Sequence, residues 1–204
     1  PDYQSFLTTR KGVHKGKAYP LTLVTLVLKT GEPAVLIREM AGIHTALGEA
    51  QGRLQLVRVP HSPTDTWWLL NMYQHTAGCP SGQSRLWAVT LTILQWLEDQ
   101  GGMVLMGGDF NACLLDELRR NYSRTCLGFH SNIRRADQLY RASVTTSCFQ
   151  RRAWSGVFQQ GAISWEGPGG RAARLDDVFV LSNHPASYRS EEHTSELQSR
   201  GHIS

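Results

Sequence analysis

Asp109 and Asn111 stand two residues apart at the end of the stretch Val104-Leu105-Met106-Gly107-Gly108-Asp109-Phe110-Asn111. The apolar residues in front of them predict a short buried strand over 103–106. Two glycines then let the backbone turn and come close to a ligand. Alternate residues of a strand share a face, so the strand end would present a carboxylate and an amide to one cleft. Such a pair can orient a water molecule and hold a phosphate oxygen or a hard cation. A bare Asp-x-Asn is also a common turn closing a strand, and spacing alone favours that plainer reading.

The elements around this pair must position it. Residues 21–29 (LTLVTLVLK), 34–38 and 52–59 (GRLQLVRV) read as strands, the first and last with clear alternation. Residues 67–73 (WWLLNMY) form a continuous apolar run of the kind expected for a strand covered on both faces. After the loop HTAGCPSGQS comes the clearest helix, over 84–99, with Leu86, Val89, Ile93, Trp96 and Leu97 at helical spacing. Ser84 is the expected N-cap, and Gly101-Gly102 the stop. A second helix is expected over 134–141, and a last strand over 174–181 (RLDDVFVL). Strands interleaved with helices, several of them alternating, predict an α/β (α+β) layered sandwich rather than a doubly wound parallel fold.

The 204 residues are 41% hydrophobic and 19% charged, which is the composition of one globular domain and excludes a disordered or fibrous chain. No apolar run approaches the length a membrane-spanning helix needs. The first residues carry no secretory core, although a start at Pro1 makes that absence uninformative. The net charge of +4 suits a polyanionic partner without requiring one. Cys79, Cys113, Cys126 and Cys148 are scattered, which argues against a zinc site or a disulfide framework and fits reduced thiols in a cytosolic or nuclear setting. Residues 189–199 (RSEEHTSELQS) are polar and aperiodic, and resemble the in-frame translation of a sequencing-library adapter. The expected organisation is therefore a partial domain over 1–188 and an artefactual tail over 189–204.

GGDFNA, at 107–112, resembles the hallmark of the endonuclease/exonuclease/phosphatase superfamily, which includes apurinic endonucleases, deoxyribonuclease-I-like nucleases and LINE-type retrotransposon endonuclease domains. Two further segments agree, in the family's order. Leu70-Asn71-Met72-Tyr73 resembles its L-N-V-Y strand, and Arg174-Leu175-Asp176-Asp177-Val178 its R-[IL]-D-Y-[IV] strand, with Ser164-Trp165 in the usual Thr-Tyr/Trp place. The resemblance covers roughly residues 19–181. It implies an incomplete four-layer α/β/β/α sandwich and a Mg²⁺-dependent (or Mn²⁺-dependent) phosphodiester hydrolase. Asp109 would orient or deprotonate the attacking water, with Asn111 positioning that water and a phosphate oxygen. Tyr73 would contact the scissile phosphate; its plainer reading is one more aromatic in a buried strand. Asp176 would orient the catalytic histidine, or Asp177 would face the site if the register slips by one.

Parts of the family pattern are missing. Its metal-binding glutamate has no match; Glu32 and Glu39 sit beside the wrong strands. Ser182-Asn183-His184-Pro185 imitates the terminal Ser-Asp-His motif but follows Asp176 too closely, so His184 reads as an exposed loop residue, and His193 belongs to the tail. His75 reads as a solvated loop histidine, and Trp154 and Phe158 as core. The pairs Arg119-Arg120, Arg134-Arg135 and Arg151-Arg152 are solvated or grip a phosphate backbone. The expected partner is DNA, cut by a monomeric parent of retrotransposon or apurinic-endonuclease type. The alternatives are an inositol or lipid phosphatase of the same superfamily, or an inactive fragment that at most binds nucleic acid.

Overall fold

The computed structural model describes residues 3–14, 17–28, 33–62, 65–112, 127–144, 155–156, 165–167, 171–173 and 175–182. Its centre is a six-stranded sheet in the order β3-β4-β5-β6-β10-β7. The strands are β3 (Val35–Ile37), β4 (Leu54–Ser62), β5 (Asp65–Tyr73), β6 (Met103–Asp109), β7 (Ser155–Gly156) and β10 (Asp176–Ser182). β4 and β5 pair antiparallel; β5 and β6 pair in parallel, so the chain between them must cross over. That crossover is α2 (Pro80–Gln100). Helices α1 (His44–Glu49) and α3 (Leu127–Val144) also pack against it. A separate hairpin, β1 (Tyr3–His14) with β2 (Lys17–Leu28), makes a second sheet, and β8 (Trp165–Gly167) with β9 (Arg171–Ala173) a third.

Alternation on β5 and β6 decides which side chains meet which layer. Trp68, Leu70 and Met72 join Val104 and Met106 in the core beneath the helices, with Leu86, Ile93 and Leu97 of α2. The opposite face carries Val57, Val59 and Leu69, which pack on Phe6 and Val27 of the hairpin. Buried Gln55 on β4 donates to Thr8 Oγ1 at 2.8 Å and accepts from the Thr25 hydroxyl, while Asn71 Nδ2 reaches the Val24 carbonyl at 3.1 Å. The layers are therefore helices, main sheet, then hairpin: the incomplete α/β/β/α sandwich that the sequence predicts. Gln55→Leu should cost about 1–2 kcal/mol by removing both of its hydrogen bonds across that seam. A urea midpoint equal to the wild type's would contradict the pinning role.

Two local expectations are corrected. α2 begins at Pro80, a turn before Ser84, because proline at the first helical position needs no N–H partner and brings its φ preset. Ser84 lies exposed inside the helix, and Gln83 reaches back instead, donating from Nε2 to the His75 carbonyl at 2.9 Å. Gly101, at φ +72°, ends the helix as expected. α3 is longer than expected, and its buried face presents Ala136 and Tyr140. Tyr140 and Phe110 stack with ring centroids 4.9 Å apart, Trp87 stacks on both, and Phe179 meets them edge-on. This four-ring cluster fixes the chain immediately after Asp109.

Candidate active site

Strand register brings three of the predicted residues into one row. Tyr73 at the end of β5 pairs with Asp109 at the end of β6, and Asp109 pairs in turn with Asp176 at the start of β10. All three lie on the face away from the helices: Tyr73 shares the parity of Leu69, while Asp109 and Asp176 are each three residues from the helix-side Met106 and Phe179. Asp177 pairs with Gly108, so the register places Asp176 opposite Asp109. Gly108 makes the close packing achievable. Its φ is +137°, and a Cβ there would run into the Met72 carbonyl.

Asn111 joins the row by a route that strand alternation does not describe. Phe110, fully buried, donates its N–H to the Leu175 carbonyl at 2.7 Å, and Asn111 then turns into the left-handed region at φ +47°. Asparagine tolerates that conformation better than most residues. The turn folds Asn111 back on Asp109: its N–H donates to Oδ1 at 2.8 Å and its Nδ2 to Oδ2 at 3.3 Å. Nδ2 also donates to the Gln74 carbonyl at 2.8 Å, and Gln74 N–H donates to the Asp109 carbonyl at 2.8 Å. Asn111 Oδ1 is left without a partner among the described residues.

Charge is shifted here. Burial pushes the Asp109 carboxyl up to about 6, the Asn111 N–H pulls it back, and the neighbouring Asp176 carboxylate raises it further. His75 is half-buried rather than a solvated loop residue, because the start of α2 folds over it: the Gly82 backbone lies against its ring and the Cys79 sulfur. Burial, then Arg53, then Arg10, hold its pKa down to about 4. Sequence reasoning assigned nothing to Arg53, whose guanidinium stands 5.2 Å from the Tyr73 ring centroid. Its position follows from the pairing of β4 with β5, which no local pattern reveals.

The remaining expectations fall elsewhere. Glu39 is exposed beyond edge strand β3, with β4 and β5 between it and β6. Arg134 and Arg135 are exposed on α3, and Cys79 is a free thiol. Glu32, Arg119, Arg120, Arg151, Arg152, Trp154, Phe158, Ser164, Asn183, His184, His193 and residues 189–204 lie outside the described residues. Asp109 has both oxygens engaged by Asn111, Asn111 spends its amide as a donor, and the buried orphan nearby, Gln74 Nε2, is itself a donor. No group of three or more His, Cys, Asp or Glu side chains converges among the described residues. They do not make up a Mg²⁺ site.

Fold and register together define a deoxyribonuclease-I-like layered sandwich, in incomplete form. No family model and no curated protein matches the chain. Among solved structures, the catalytic domain of Xenopus laevis APE2 matches with a TM-score of 0.59 at 16% identity, over 88% of this chain and 66% of that one. Truncated Caenorhabditis elegans TDP2 matches at 0.48 with 16% identity, over 88% and 62%. The human Nocturnin catalytic domain with bound sulfate matches at 0.41 with 13% identity, over 89% and 61%. This chain thus spans less than two thirds of the length of each.

Proposed function

We propose that this chain carries one half of the active site of a phosphodiester-hydrolysing domain that acts on DNA, with a retrotransposon-type endonuclease as its subtype. The observation that carries the reading is the row Tyr73–Asp109–Asp176 at adjacent strand ends, with Asn111 folded onto Asp109. A carboxylate with a pKa near neutrality suits a general base. Asp109 takes a proton from a water as that water's oxygen bonds to phosphorus and the bond to the leaving oxygen breaks. Asn111 accepts the water's other hydrogen at Oδ1, and Tyr73 donates its hydroxyl to a non-bridging phosphate oxygen. Asp176 orients the general acid, a histidine that the resemblance implies and the described residues do not include. The Mg²⁺ of the family reading needs ligands beyond the described set; the expectation that this chain alone is inactive rests on the family's metal glutamate and terminal histidine having no match in the sequence. The exposed pair Arg134-Arg135 and the net charge of +4 support a polyanionic substrate.

Supercoiled plasmid with MgCl₂ tests this. The chain alone is expected to leave it intact, and the product of the complete reading frame to nick it. Failure of that product to nick plasmid, with release of phosphate from an inositol phosphate instead, would replace DNA by the phosphatase reading. Cleavage by the chain alone would overturn the division of the site.

A further inference from the structure

Arg53 sits at the foot of β4 with its backbone held on both sides. Its N–H donates to the Ala50 carbonyl at 2.9 Å, and its carbonyl accepts the Tyr73 N–H at 2.8 Å. The half-buried side chain turns towards the end of β5. Nη1 donates to the Tyr73 carbonyl at 3.1 Å and to the Gln74 carbonyl at 3.3 Å, while the guanidinium lies over the Tyr73 ring. No carboxylate neutralises it among the described residues. The Gln74 carbonyl is also the oxygen that accepts Asn111 Nδ2. A carbonyl has two lone pairs, so it can serve both donors at once.

We infer that Arg53 is a positioning residue, which fixes the Tyr73 ring through its guanidinium face and the Asn111 amide through the shared Gln74 carbonyl. The geometry uses what arginine has and lysine lacks: a flat guanidinium that lies over an aromatic ring while one terminal nitrogen, Nη1, donates to two carbonyls. One side chain thereby sets two groups that approach the site from different strands. Without it, the Tyr73 carbonyl loses its side-chain donor and the ring loses its cap. The Gln74 carbonyl then keeps just the Asn111 amide that it is meant to orient. What Tyr73 and Asn111 are positioned for rests on the phosphodiesterase reading; the tie itself does not.

The two can be tested separately on the chain itself. In Arg53→Ala, the Asn111 side-chain amide protons, followed by ¹⁵N NMR, should exchange with water about tenfold faster, the effect of losing roughly one hydrogen bond's worth of restraint. The Tyr73 ring resonances should move with them. Arg53→Lys should not restore either signal, and guanidinium ion added to Arg53→Ala at sub-denaturing concentration should. Unchanged Asn111 exchange in a folded Arg53→Ala, or full restoration by lysine, would overturn the inference. If Arg53→Ala does not fold, Arg53→Lys alone decides it: Asn111 exchange at the wild-type rate refutes the tie. Dimethyl phosphate, a minimal phosphodiester, is the second probe. If it leaves the wild-type Tyr73 and Asn111 resonances unmoved while the arginine variants behave as stated, the phosphate reading fails and the positioning role stands.

Discussion

Gly108→Ala is expected to destabilise the chain by about 3–5 kcal/mol, at the severe end for one added methyl group. Two causes add. The backbone at φ +137° is a conformation that L side chains rarely adopt, and holding a non-glycine residue there costs about 1–3 kcal/mol. The new Cβ also meets a backbone oxygen, that of Met72 on β5, which cannot swing aside as a flexible side chain would. β5 and β6 must part at the point where Tyr73 pairs with Asp109, so the damage falls on the site as well as on the fold. Two other glycines separate the causes. Gly101→Ala has positive φ with ψ −173° but nothing within 4 Å of its Cβ, and should cost the conformational part alone, about 1–3 kcal/mol. Gly48→Ala, helical and open, should be neutral or stabilising by up to about 1 kcal/mol. Urea unfolding of the three variants gives the order directly. Gly108→Ala no worse than Gly101→Ala would mean that the close strand approach is not a constraint.

The same strand pair shows what could be read from sequence. GGDFNA and LNMY each name a strand end, and the parallel register of β5 with β6 then follows from α2 as the crossover between them. The resemblance gave the residues of the row, but strand pairing put them side by side. Asn111 was expected on the same face as Asp109 by alternation; it arrives by a left-handed turn anchored by Phe110, a tertiary effect. β1 escaped the sequence reading because so little of it is buried: Phe6 packs inward, while Tyr3 and Leu7 are more than half exposed. His75 and Arg53 owe their environments to residues far along the chain, the start of α2 for one and Tyr73 for the other. No window of local periodicity contains such information.

Asp109→Asn is expected to act in opposite directions on stability and on catalysis. The carboxyl titrates at about 6 in the fold against 3.8 for an unperturbed aspartate. Between those values the folded chain keeps a proton that the unfolded chain has released, so stability falls as pH rises from about 4 to about 6 and stays lowered above. His75 does the reverse. It titrates at about 4 in the fold against 6.5 when free, so the unfolded chain gains its proton first and stability is lost as pH falls from about 6.5 to about 4. The two slopes oppose each other over nearly the same window, and the wild type should be close to flat there. Asp109→Asn removes the carboxylate cost and its amide oxygen can still accept the Asn111 N–H, while its new NH₂ replaces the acceptor of the long 3.3 Å bond from Asn111 Nδ2, a smaller loss. It should stabilise the chain at pH 7.5 by about 1–2 kcal/mol, after allowance for solvent screening at a half-open site, and leave stability falling below pH 6.5. His75→Gln should uncover the other slope, with stability rising as pH falls from 6 to 4. In the product of the complete reading frame, the same Asp109→Asn change should lower plasmid nicking by about 10²–10⁴-fold, the usual contribution of a general base. Urea midpoints at pH 4.5 and 7.5, set beside nicking rates, separate the possibilities. A variant that is destabilised at pH 7.5 makes Asp109 a structural turn residue after all. One that is stabilised and still nicks at the wild-type rate removes it from the chemistry. Only gain of stability together with loss of nicking fits a carboxylate held against its own preference because the reaction needs it.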